Sequence, residues 1–141
     1  MRPTWDEHWM NMAVGAAEMG TCPRAQVGCV LVRDNRIIAT GHNGALAGLN
    51  HCIDVGCMIE NDHCVRATHA EQNAVIQCAL HGTSSRGATC FTTHFPCVTC
   101  AKILIGAGVD RVVYLHDYAN GRGDEFFKWA RIQIEQLKAG E

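Results

Sequence analysis

His69, Glu71, Cys97 and Cys100 are the residues whose types and spacing could do chemistry; they lie in "ATHAEQNAV" (67–75) and "THFPCVTC" (93–100). Cys97 and Cys100 are three apart, so on a helix they share one face. Pro96 places them at a helix N-terminus, where the dipole and free N–H groups favour thiolates, the metal-binding form. His69 and Glu71 are two apart and point roughly 200° from each other on a helix. Both cannot be ligands from one face, but both can flank one point off the helix's N-terminal end. One His and two Cys leave a tetrahedral metal with an open fourth position, which separates a catalytic zinc from a structural one. Water there would become acidic, and Glu71 beside it could take the proton and hand it to a leaving nitrogen.

Each half alone has a duller explanation. A lone C-x-x-C is as often half of a structural zinc site or a redox pair, and a lone H-x-E is close to noise. Together, with an intervening strand and both motifs opening helices, they favour one metal-centred active site.

The elements that must position these residues can be read from the same sequence. The chain has 141 residues, which suits one domain over 1–141, and its 48% hydrophobic and 18% charged content is that of an ordinary globular protein. "TWDE" fits a capping box with Thr4 and Glu7, predicting a helix from about Thr4 to Met19 that ends at Gly20. Residues 27–32 and 37–42 read as a hairpin around "RDNR". The long stretch 43–67 is rich in Gly, Asn, Cys and His without a period, which marks a functional or pinned loop. A helix follows from "THAEQNAV" to Gly82, then a strand (88–94) and a helix with Pro96 in its first turn, running to about Ala107. A strand (111–116) and one amphipathic helix over "DEFFKWARIQIEQLKAG" complete the order α-β-β-α-β-α-β-α. Helical crossovers between the later strands imply parallel neighbours and helices on both faces.

Net charge is −2, so no strongly basic face exists to collect phosphate backbones, and a nucleic-acid partner is not expected. No apolar run reaches membrane-helix length, and the N-terminus lacks a signal-peptide core. The expected setting is cytoplasmic, without a membrane partner. In such a reducing compartment, nine cysteines point to metal ligands and buried thiols rather than disulfides. Cys29, Cys78 and Cys90 fall in apolar runs and read as small buried hydrophobes. Cys22, Cys52, Cys57 and Cys64 remain, with His51 and His63 beside two of them. A second, closed zinc would explain how the long loop is pinned. The last two ligands stay open among Cys57, His63 and Cys64.

H-x-E…P-C-x-x-C is the known signature of zinc nucleobase deaminases. With "QVGCVLV", "GHNG", "HAEQNA" and "HFPCVTCAKILIGAGV", the chain resembles the cytidine/deoxycytidylate deaminase superfamily and, within it, the deoxycytidylate (dCMP) deaminases. The resemblance implies a three-layer α/β/α cytidine deaminase-like fold with a mixed five-stranded sheet. It implies hydrolytic conversion of dCMP to dUMP at C4 of the base, supplying thymidylate synthesis, with Glu71 carrying the protons. It places Asn43 on the sugar hydroxyl, where His42 departs from the family's usual Tyr. It places Arg24 and Tyr118 near the phosphate; Phe95 could pack on the base or simply on the core. A structural zinc occurs in some of these enzymes. They are commonly homohexamers, activated by dCTP and inhibited by dTTP with Mg2+ on the triphosphate, which would put Gly44 and Gly48 in an effector pocket.

Three rival readings exist. A zinc deaminase acting on cytidine, guanine or tRNA adenosine keeps the chemistry, and the −2 charge weighs against tRNA. A zinc scaffold has no use for Glu71 beside an open metal position. A thiol redox protein using Cys97 and Cys100 predicts activity without metal.

Overall fold

The computed structural model describes residues 1–117 and 122–138. Helix α1 spans Trp5–Ala17, and its capping box is formed. Thr4 Oγ1 accepts the Glu7 N–H at 3.1 Å, and the Glu7 carboxylate accepts the Thr4 N–H at 2.8 Å. Two orphan donors are thereby satisfied, which fixes where the helix begins. It ends at Ala17, before the expected Met19. Gly20 is not its left-handed cap; it is required because a Cβ there would lie 2.5 Å from Asn43 Oδ1.

Strands β1 (Gly28–Arg33) and β2 (Arg36–His42) pair antiparallel. Their turn is Asp34-Asn35, with φ of 53° and 57°. Positive φ at both centres is the hairpin geometry that matches strand twist, and Asp and Asn tolerate it. The long loop contains α2 (Cys52–Val55) and a small hairpin of β3 (Ile59–Glu60) and β4 (His63–Cys64). Helix α3 (Ala70–His81) ends at Gly82, whose φ is 69°. Strand β5 (Thr89–His94), helix α4 (Val98–Gly106) and strand β6 (Arg111–His116) follow.

The last segment differs from the single helix expected. Helix α5 covers only Gly123–Ala130, Arg131 turns left-handed at φ 59°, and β7 (Gln133–Gln136) follows. β7 pairs parallel with β6, placing Val112 opposite Ile134. Without it, β6 would present an open row of backbone donors and acceptors. The alternation of Ile132 and Ile134 with more polar neighbours suits that edge, and sheet pairing overrides the helical pattern.

The sheet order is β2-β1-β5-β6-β7, antiparallel at β2-β1-β5 and parallel at β5-β6-β7, so it is mixed and five-stranded. Alternation sorts each strand between two layers. Val30, Val32, Phe91 and Val113 pack with Trp9, Met10 and Ala13 of α1. Cys29, Leu31, Cys90 and Val112 pack with Ala70, Ala74 and Cys78 of α3, Leu104 of α4 and Phe127 of α5. The architecture is the three-layer α/β/α arrangement the resemblance implies. The three expected core thiols, Cys29, Cys78 and Cys90, are all buried. Full burial of Phe91 or Phe127 contributes about 2–3 kcal/mol. Arg111 reaches Asp6 of α1 (2.7 Å) and Glu135 of β7 (2.6 Å), tying the first helix to the last strand.

Gly41 is where α3 lies against β2. A Cβ there would sit 2.1 Å from the Ala70 carbonyl oxygen and 2.7 Å from the Ala74 nitrogen. Both are backbone atoms that cannot rotate away. Gly41→Ala is expected to cost on the order of 3 kcal/mol, the upper end for overpacking. Denaturant unfolding checks this, and a loss below about 1 kcal/mol would contradict it.

Candidate active site

Two helix starts converge beside the end of β5. His69 immediately precedes α3 in an extended conformation, φ −70° and ψ 153°. Its N–H donates to Gln72 Oε1 at 2.8 Å, which fixes the entry to the helix. Glu71 lies in the first turn. The pair therefore flanks the helix end instead of sharing a face. Cys97 is not on the face of α4 as the spacing suggested; it is the N-cap, φ −67° and ψ 170°, and Pro96 lies outside the helix. Cys97 Sγ accepts the Cys100 N–H at 3.5 Å, so the two sulfurs still meet. His69 Nδ1 lies 3.2 Å from Cys100 Sγ and 3.5 Å from Cys97 Sγ. The three candidate ligand atoms lie within 4.8 Å of one another. This donor set fits a zinc ion with one position left open.

Glu71 is only 4% exposed, and Thr92 Oγ1 donates to its Oε1 at 3.1 Å. Burial pushes its carboxyl above the ordinary range, against the pull of Cys100, His69 and Thr92. The Cys97 thiol falls to about 4, chiefly through its hydrogen bond with Cys100 and also with His69, although burial opposes the fall. The Cys100 thiol is pushed far up by holding the proton of that pair, and by burial. A dication between the two sulfurs would take both as thiolates. The Cys97 contact raises the His69 imidazole, with burial opposing.

A cavity of about 240 Å³ opens onto these groups. Arg24, Asn43 and Phe95 line it, as do His63 and His94. Arg24 donates to the Asp62 carbonyl at 3.0 Å, so the β3–β4 hairpin holds it at the rim. Asn43 is tied to the backbone: its Oδ1 accepts the Val27 N–H at 2.8 Å, and its amide donates to the Ala25 carbonyl. It holds the segment before β1 against the end of β2. Its φ is not positive, so it is no left-handed turn residue. Phe95 is half-buried, edge-on to Tyr114 at 4.9 Å between centroids. Tyr118 lies outside the described residues. Gly44 and Gly48 do not line this cavity; Gly48 takes φ 87°, and a Cβ at Gly44 would lie 2.6 Å from Thr21 Oγ1.

The second candidate cluster gathers Cys22, Cys52, Cys57 and Cys64 within 4.8 Å of one another. Cys22 and Cys57 sulfurs are 3.8 Å apart, and Cys52 and Cys64 sulfurs 3.5 Å. His63 is outside it, on the cavity wall. Burial and neighbouring thiols raise Cys52 to about 12. Burial works against Cys64, yet the backbone at Ala67, Met58 and Arg66 brings it down to about 6. Four sulfurs with no open position fit a closed structural zinc site. Cys22 and Cys64 also line the cavity, so the cluster and the candidate active site share a wall. Sequence reasoning missed Thr92 and His94, since a β-branched residue and a His at a strand end carry no signal of their own.

The family model for the cytidine and deoxycytidylate deaminase zinc-binding region matches residues 3–116. The chain belongs to this family. This deaminase is 42% identical to ComE operon protein 2 of Bacillus subtilis over 99% of the chain and 75% of that protein. It is 37% identical to the deoxycytidylate deaminase of Saccharomyces cerevisiae over 100% of the chain, but spans only 47% of that enzyme's length. A crystal structure of dCMP deaminase from the cyanophage S-TIM5, in complex with dCMP and dUMP, superposes with a TM-score of 0.86 at 30% identity, covering 97% of this chain and 99% of that one. No described helix is long and apolar enough to cross a membrane.

Proposed function

We propose that this deaminase converts dCMP and water to dUMP and ammonia. The observation that carries the reading is Glu71, buried beside a His-Cys-Cys set that leaves a metal one open position. Zinc held by His69, Cys97 and Cys100 would supply Lewis acidity and lower the pKa of a water in that position. Glu71 takes one proton of the attacking water and delivers it to the ring nitrogen, then takes the second from the new hydroxyl at C4 and delivers it to the amino group, which leaves as ammonia. Its burial raises its proton affinity towards the range such a shuttle needs. Phe95 offers an aromatic wall to the base. Asn43 shapes the sugar end, Arg24 stands at the rim as the cation for the 5′-phosphate, and Tyr118 is a hydroxyl donor to the same phosphate.

Cys22, Cys52, Cys57 and Cys64 hold a second, structural zinc in this reading. It extends to a homohexamer activated by dCTP and inhibited by dTTP, with Mg2+ on the triphosphate and Gly44 and Gly48 at the effector pocket. Rates with and without dCTP and Mg2+, beside light scattering, check that extension.

The test of the substrate is discrimination by Arg24. Arg24→Ala is expected to raise KM for dCMP about 10- to 100-fold, the loss of a charge-assisted contact, while deoxycytidine turnover stays unchanged. Equal losses on both substrates would remove Arg24 from phosphate recognition. Absence of dUMP and ammonia with the parent enzyme would remove the substrate itself.

A further inference from the structure

Thr92 occupies a position that strand packing alone does not explain. In β5, Cys90 and Thr92 face the α3 layer, while Phe91 faces α1. Thr92 is 0% exposed. A valine would satisfy the strand and the core equally well, since both are β-branched. A buried hydroxyl costs stability unless it is hydrogen-bonded.

Its Oγ1 lies 3.1 Å from Glu71 Oε1 and 3.1 Å from the His94 carbonyl oxygen. One hydroxyl proton thus has two acceptors. Towards an ionised carboxylate the bond is charge-assisted and the stronger of the two. Cys100, the other group in reach of the carboxyl, is committed as a metal ligand in the loaded enzyme. Thr92 is then the donor that remains.

We propose that Thr92 is a positioning residue: its hydroxyl holds Glu71 Oε1, so that the carboxyl presents its other oxygen to the reacting atoms. The inference rests on the reading of Glu71 as proton carrier. A carboxyl free to rotate in a cavity would spend part of its time misaligned, and small misplacements are costly in rate. The His94 carbonyl gives the hydroxyl a second acceptor while Glu71 carries its proton, and the ionised carboxylate, the stronger acceptor, takes the bond again once the proton has been passed on. The parent threonine thereby returns the carboxylate to one orientation each time it is ionised.

The experiment compares zinc-loaded Thr92→Val and Thr92→Ser with the parent on dCMP. Thr92→Val keeps the shape and loses the hydroxyl; Thr92→Ser keeps the hydroxyl and loses the methyl. Thr92→Val should lower kcat about 10- to 100-fold with KM within about twofold. Thr92→Ser should recover the parent kcat to within about threefold, since it retains the donor. Zinc content should match the parent in both, while Thr92→Ser, which loses a buried methyl, should melt somewhat lower. Should Thr92→Val fold poorly, Thr92→Ala against Thr92→Ser carries the same comparison. Equal losses in the hydroxyl-bearing and hydroxyl-free variants, an unchanged kcat without the hydroxyl, or a loss confined to KM would overturn the proposal. Glu71→Gln run alongside separates the two failures: if it retains activity, the role of Glu71 is wrong, and Thr92 falls with it.

Discussion

Glu71→Gln loses deaminase activity by about a thousandfold or more, within the range that proton transfer by a positioned side chain contributes. Glutamine matches the size of glutamate and keeps an oxygen for the Thr92 hydroxyl, 3.1 Å from the native Oε1. It cannot take up and release a proton. The three candidate ligand atoms belong to His69, Cys97 and Cys100, so zinc content should stay at the parent value. Stability should not fall either. Glu71 is 4% exposed, and burial disfavours its charge. A neutral amide removes that cost, which is the usual trade between an active-site charge and stability. Rate, zinc content and melting temperature together check the assignment. A rate within tenfold of the parent, or loss of zinc, would mean that Glu71 is not the proton carrier.

Cys52→Ser removes one of two zinc equivalents and lowers stability on the order of 5 kcal/mol. That is well below the roughly 10–16 kcal/mol that structural zinc supplies to peptides without another core. The larger figure does not apply because the sheet and its two helical layers bury their own core. What the cluster holds is local: Cys22 before β1, Cys52 at the start of α2, Cys57 after it and Cys64 in β4. Those segments carry few other buried side chains, and Ile53, Val55, Met58 and Ile59 are exposed. Cys22 and Cys64 line the active-site cavity, and Arg24 is bonded to the Asp62 carbonyl of the same hairpin. KM for dCMP should therefore rise with the loss of the second zinc. Metal analysis and thermal unfolding decide it; an unchanged zinc count would mean that the four-cysteine cluster holds no zinc.

Much of this was legible in the sequence wherever chemistry is local. Thr4 and Glu7 announced the first helix because a capping box is closed by residues three apart. Asp34-Asn35 announced the hairpin because few residues accept positive φ in succession. His69, Glu71, Cys97 and Cys100 announced a common site because both pairs sit where helices begin. What depended on distant partners was hidden. β7 exists because β6 has an edge to fill, and the segment 124–140 taken alone shows a helical period. The choice of Cys57 and Cys64 over His63 is made by the short β3–β4 hairpin, whose two-residue strands carry no pattern. The backbone bonds of the Asn43 amide to residues 25 and 27 could not be read from the sequence, because they join segments that meet only in the fold. Thr92 faces Glu71 only because β5 passes beneath the start of α3.

The most direct measurement is the initial rate, followed by ultraviolet absorbance, of the zinc-loaded protein on dCMP, deoxycytidine and cytidine in parallel. The account predicts fast conversion of dCMP, with both nucleosides slower by at least about tenfold for want of a phosphate to engage the rim. Equal rates on all three would contradict phosphate recognition. No conversion of any of them, with zinc verified at the His69 site, would contradict the assignment of cytosine as the base.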